Sequence, residues 1–77
     1  MAKSIYSKRY GQLLDLLVSG RKNADLTQIE VAARLGRPQS FVSKYENGER
    51  RLDVVEFLEV SRAIECDPIK LIRSLVS

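Results

Sequence analysis

Residues 26–51 read LTQIEVAARLGRPQSFVSKYENGERR, and this stretch decides the fold. Thr27 followed three residues later by Glu30 has the spacing of a capping box, in which each side chain accepts from the other residue's backbone amide. The helix that opens there turns Val31, Ala32 and Leu35 inward and leaves Ile29 only partly covered. Gly36 closes it, where a residue free to take positive φ is wanted. Arg37-Pro38 then starts a further helix over about 38–47, because proline fixes φ and needs no amide partner in a first turn. Phe41, Val42 and Tyr45 are its apolar side, which leaves Gln39, Ser40, Ser43, Lys44 and Asn47 facing outward. Asn47-Gly48 is a turn signal, and Glu49-Arg50-Arg51 follows as an exposed basic loop.

Upstream, Tyr6, Tyr10, Leu13, Leu17 and Arg21 recur at three- or four-residue steps, with Leu14 and Val18 widening the stripe. This is a supporting helix over residues 4 to about 22, capped by Ser4 and finished by Arg21 and Lys22. Gly20 is a weak point that costs roughly 1 kcal/mol against alanine inside a helix. Lys3, Lys8 and Arg9 read as solvated charge within reach of a phosphate backbone. Asn23-Ala24-Asp25 is the break, since Asn and Asp tolerate the left-handed region.

Downstream, Asp53 and Glu56 sit in the first turn of a fourth helix and complement its dipole. Val54, Phe57, Ser61 and Ile64 form its buried stripe, flanked by Leu58 and Val60. Cys66 reads as a small buried thiol rather than a reactive one. Asp67-Pro68 caps and opens a fifth helix, apolar on more than one side through Ile69, Leu71, Ile72, Leu75 and Val76. That excess of apolar side chains either fills the core of a small domain or makes a two-fold interface. Five helices with no strand alternation and no repeat give an all-α single domain over residues 1–77.

Composition narrows the possible roles. A chain of 77 residues with one cysteine and no histidine has no intramolecular disulfide and no zinc-ligand cluster. Stability must come from an apolar core, and 44% hydrophobic residues at regular spacing make that credible. No run of about 18 apolar residues suggests a membrane span, and the amino-terminal residues lack a secretory h-region. The free thiol and the missing export signal point to the cytoplasm. Charge is unevenly spread: residues 1–51 carry ten Lys or Arg against five Asp or Glu, a net of +5, whereas residues 52–77 carry three against five, a net of −2. A basic front suits a polyanionic partner, although charge segregation alone would produce it too.

Gln28, Ala32, Gly36, Val42 and Tyr45 together have the spacing of a helix-turn-helix. Small Ala32 permits a close helix crossing, Gly36 the tight turn, and Val42 with Tyr45 the lock onto the core. The wording L-T-Q-x-E-V-A-x-x-L-G, then Q-S-F-V-S-K-Y-E-N-G-E-R-R, closely resembles the Cro/cI-type helix-turn-helix family, also called lambda-repressor-like or XRE-type. The resemblance covers about residues 10–75 and is densest between Leu26 and Arg51. It implies a compact five-helix domain that binds double-stranded operator DNA, usually as a homodimer, and regulates transcription.

Carried over residue by residue, the resemblance makes Gln28 a phosphate contact at the start of the second helix. It makes Gln39, Ser40 and Lys44 the base-reading positions, which suits their chemistry, since glutamine fits an adenine edge and lysine a guanine edge. Ser43 and Asn47 fall to the backbone, as do Arg50 and Arg51 in the loop and Arg37 ahead of the third helix. Arg21 and Glu46 match a structural ion pair of the family, with two unrelated surface charges as the other reading. Two departures stand out. Asp25 replaces a common glycine, which implies a slightly strained turn, and Pro38 replaces a frequent Ser or Thr cap.

An enzyme fits poorly: there is no histidine, no nucleophile beside a base, no glycine-rich phosphate loop and no cofactor motif. The rival reading is an antitoxin or other protein-interaction module on the same fold, which could also repress its own promoter. Intact outward residues on the third helix and the basic loop favour DNA over that alternative.

Overall fold

The computed structural model describes residues 7–77 as five α-helices. They are α1 (Lys8–Asn23), α2 (Gln28–Leu35), α3 (Gln39–Glu46), α4 (Val54–Ala63) and α5 (Pro68–Val76). No strand occurs among the described residues, and none of their helices is long and apolar enough to cross a membrane.

Local chemistry sets most helix boundaries. The Ser7 hydroxyl accepts from the Tyr10 amide at 3.1 Å and caps α1. The sequence places that cap at Ser4, which lies outside the described residues together with Lys3 and Tyr6. At the head of α2, Thr27 Oγ1 accepts from the Glu30 amide at 3.1 Å, and Glu30 Oε1 accepts from the Thr27 amide at 2.8 Å. Gly36 ends α2 at φ 68° while the Arg37 amide reaches back to the Ala32 carbonyl at 3.0 Å. Pro38 stands ahead of α3 with no side-chain cap, so α3 starts on proline's fixed φ alone. Asp25 takes φ 62°, a left-handed conformation that asparagine and aspartate adopt with modest strain.

The core joins Leu17 of α1, Val31 and Ala32 of α2, and Phe41, Val42 and Tyr45 of α3 to Phe57, Val60 and Ala63 of α4, Ile64 just after it, and Leu71 of α5. Gly20 is where α1 meets the α4–α5 turn. A Cβ there would lie 2.6 Å from Cys66 Sγ and 3.1 Å from Ile64 Cδ1, so the missing side chain is what lets the segments approach. The sequence presents Gly20 as a weak point of the helix; in the fold it is a contact.

Helix α4 departs from its expected face. Val54 is 74% exposed and Leu58 46% exposed, whereas Glu56 is buried. The reason is the start of the helix: Asp53 Oδ1 accepts from the Glu56 amide at 2.7 Å, and Glu56 Oε1 accepts from the Asp53 amide at 3.0 Å. This second capping box folds Glu56 back beneath the cap and turns the first-turn Val54 outward. Phe57, Val60 and Ser61 carry the buried side instead.

Candidate nucleic-acid interface

Burial of Phe41, Val42 and Tyr45 leaves the opposite side of α3 in solvent. Gln39, Ser40, Lys44 and Asn47 are exposed there, with Ser43 half-buried beside them. This helix is held from beneath by an ion pair. Arg21 Nε and Nη2 donate to Glu46 Oε2 and Oε1 at 2.7 and 3.1 Å, and Arg21 Nη1 donates to the Leu26 carbonyl at 3.0 Å. The side chains are 12% and 6% exposed, so the pair closes α1 onto the end of α3 away from water. Its hydrogen bonds to Glu46 raise the Arg21 pKa and keep the guanidinium charged.

Gln28 extends this network toward the surface. Its Nε2 donates to Glu46 Oε1 at 2.9 Å, while its Oε1 accepts from Gln39 Nε2 at 3.4 Å. Both ends of the Gln28 amide are thus engaged within the chain, and its link to Gln39 restrains the first residue of α3. That link is long for a hydrogen bond and easily exchanged.

Of the three arginines that bracket α3, Arg37 and Arg50 are brought together more than the sequence suggests. The Arg37 and Arg50 guanidinium carbons lie 4.3 and 4.9 Å from the Phe41 ring centre, within cation–π range. Phe41 in turn meets Tyr45 edge-on, with ring centres 5.5 Å apart. Arg51 lies 4.2 Å from the centre of the Tyr10 ring, whose hydroxyl accepts from the Leu52 amide at 3.1 Å. Arg50 is not a freely exposed loop residue: Nη1 and Nη2 donate to Glu56 Oε1 and Oε2 at 2.9 and 2.8 Å, and Nη1 also donates to the Arg51 carbonyl at 3.0 Å. Arg37 Nη2 stands 3.6 Å from the same carboxylate. The Arg50 hydrogen bonds, helped by the Asp53 amide, hold the Glu56 carboxyl down at about 2.

Glu56 is the site residue that the sequence reading leaves as a simple dipole complement. Asp53-x-x-Glu56 repeats the spacing of Thr27-x-x-Glu30, and that was the available signal. Its arginine partners, by contrast, are set by the tertiary fold. No group of three or more His, Cys, Asp or Glu among the described residues could hold a metal ion.

Tyr45 sits beneath this face with its phenol fully enclosed. Among the described residues its hydroxyl has no hydrogen-bond partner, and burial pushes its pKa well up.

The helix-turn-helix family model matches residues 19–71. A solved structure, an XRE-family like protein from Pseudomonas syringae pv. tomato str. DC3000, is 59% identical and superposes with a TM-score of 0.88. The match covers 95% of this chain and 89% of that one. No curated protein matches the chain significantly. With its turn, its paired helices and its exposed α3 face, the chain belongs to the XRE-type, or Cro/cI-type, helix-turn-helix family of DNA-binding transcription regulators.

Proposed function

We propose that the chain is a cytoplasmic repressor that binds a palindromic operator as a homodimer. Each copy lays α3 in a major groove, about 12 Å wide, on one face of the duplex. The observation that carries this reading is the α3 face itself: Gln39, Ser40 and Lys44 stand exposed side by side, with arginines at both ends of the helix.

In this reading Gln39, Ser40 and Lys44 read base edges, and Ser43 and Asn47 touch the backbone. Arg37, Arg50 and Arg51 supply the sequence-independent phosphate attraction. Gln28 reaches a phosphate from the amino end of α2 after loosening its bond to Gln39. A second copy is supported by the apolar surface of α4 and α5, where Val54, Leu58, Ile69 and Ile72 are exposed around a groove of about 290 Å³.

Selection of random duplexes by the purified protein at physiological salt, followed by sequencing, tests the reading. The expected result is a two-fold symmetric motif with half-sites roughly 10 base pairs apart. A single half-site would remove the dimer and keep sequence-specific binding. No enriched sequence would contradict operator recognition and favour a protein-binding role.

A further inference from the structure

Glu56 lies on α4, outside the helix-turn-helix, yet two of the three arginines that bracket α3 converge on it. Arg37 immediately precedes Pro38 and the start of α3; Arg50 follows its end by way of the buried Gly48 turn. Their guanidinium groups share Phe41, a buried residue of α3, and their charges share one carboxylate. Glu56 is itself fixed, because its Oε1 also accepts from the Asp53 amide within the α4 capping box. Arg37, Arg50 and the adjoining Arg51 outnumber the Glu56 and Asp53 carboxylates of the α4 capping box, so this end of the face still attracts phosphate while Arg37 and Arg50 are held in place.

The Arg50 fork is only partly used. Its bonds to Glu56 and to the Arg51 carbonyl engage three of the five N–H groups that a guanidinium carries. A flexible arginine must lose rotamer freedom when it grips a phosphate, and one already clamped on a carboxylate and a ring has lost much of it beforehand.

We propose that Glu56 is the positioning residue of the DNA-binding face: it sets phosphate affinity by holding Arg37 and Arg50 against Phe41 at the two ends of α3. The inference rests on the DNA-binding reading above. It also has a consequence opposite to simple electrostatics. Removing the Glu56 charge makes the face more positive, and charge alone would then tighten binding to a polyanion. Loss of positioning weakens it instead.

Glu56→Gln is the informative variant, because glutamine can keep the capping-box bond to the Asp53 amide while losing the charge that pairs with the arginines. Wild type and variant are titrated onto a non-specific duplex of about two helical turns over a range of salt, which reads the phosphate contribution. The expected result is about tenfold weaker binding at physiological salt, with the slope of log affinity on log salt shallower by about one to two units. In an Arg50→Ala background, Glu56→Gln should weaken binding much less, since one of the two arginines it positions is gone.

Glu56→Asp is the second variant: it keeps the carboxylate charge on a side chain one methylene too short to hold the Arg50 fork in place, and it should weaken binding in the same direction. It serves where Glu56→Gln does not fold. If wild type binds duplex and a folded Glu56→Gln, or Glu56→Asp, binds as tightly or more tightly, the positioning role is overturned and DNA binding stands. If wild type binds no duplex even at low salt, the DNA-binding reading falls and the inference falls with it.

Discussion

Two arginine–glutamate pairs among the described residues are bidentate, one side-on through Nε and Nη2 of Arg21 and one end-on through Nη1 and Nη2 of Arg50, and their surroundings differ. Arg21–Glu46 is enclosed, with side chains 12% and 6% exposed, and ties α1 to the end of α3. Arg50–Glu56 lies at the rim, with Arg50 41% and Glu56 11% exposed, and ties the loop after α3 to the start of α4. An enclosed pair has no water to replace a lost partner, so its removal is felt as stability. A rim pair whose cation still faces solvent gives less stability than an enclosed one, and it also fixes the direction in which a charge is offered. The first pair therefore holds the reading helix in the fold, and the second readies its flanks for a partner.

The largest effect expected is on the enclosed pair. Arg21→Ala leaves Glu46 buried with only Gln28 as a partner and should cost about 3–5 kcal/mol in urea unfolding, enough to unfold much of so small a protein. Glu46→Ala should do the same. An effect as small as that of a surface charge would erase the distinction between the pairs.

Next come the residues proposed to read bases. Lys44→Ala and Gln39→Ala should each relax selection at one base position by about 1–3 kcal/mol, with folding intact. Competition binding with single-base operator variants measures this.

Acid sharpens the comparison at the rim. The Glu56 carboxyl is held at about 2, below its ordinary 4.5. A depressed carboxylate stabilises the fold fully above its unfolded value; that contribution is lost as pH falls from 4.5 through about 2. The stability difference between wild type and Glu56→Gln should therefore be constant near neutrality and shrink only across that acid range. A difference that disappeared at higher pH would mean that Arg50 does not hold the carboxylate.

The smallest effect is at Tyr45, where a buried hydroxyl with no hydrogen-bond partner among the described residues contributes nothing beyond its ring. Tyr45→Phe should leave stability unchanged or raise it by about 1 kcal/mol or less, because it removes a polar group that burial penalises. A marked loss in thermal unfolding would reveal a hydrogen bond at that hydroxyl.

These cases also show what could be read from the chain. Thr27 and Glu30, Gly36, and Asp67-Pro68 announce helix ends because a cap is decided within three or four residues. The inward face of α3 is equally legible, since Phe41, Val42 and Tyr45 follow the helical period. Val54 misleads because periodicity assigns it to a buried stripe while the α4 cap turns it outward. Gly20 looks like a flaw until Cys66 and Ile64 arrive from more than forty residues away. Arg50 reads as an exposed loop cation for the same reason: the carboxylate it grips and the ring it covers are brought to it by packing. The outward residues of α3 are visible in sequence as a polar face, but the bonds from Gln28 to Glu46 and Gln39 are not.

The most direct test of the central claim is an amide chemical-shift titration of the labelled protein with the duplex that selection enriches. The largest perturbations are expected at Gln39, Ser40 and Lys44 and in the loop at Arg50 and Arg51, with the exposed face of α5 at Ile69 and Ile72 little changed by DNA contact. Perturbations confined to α4 and α5, with the α3 amides unmoved, would contradict it.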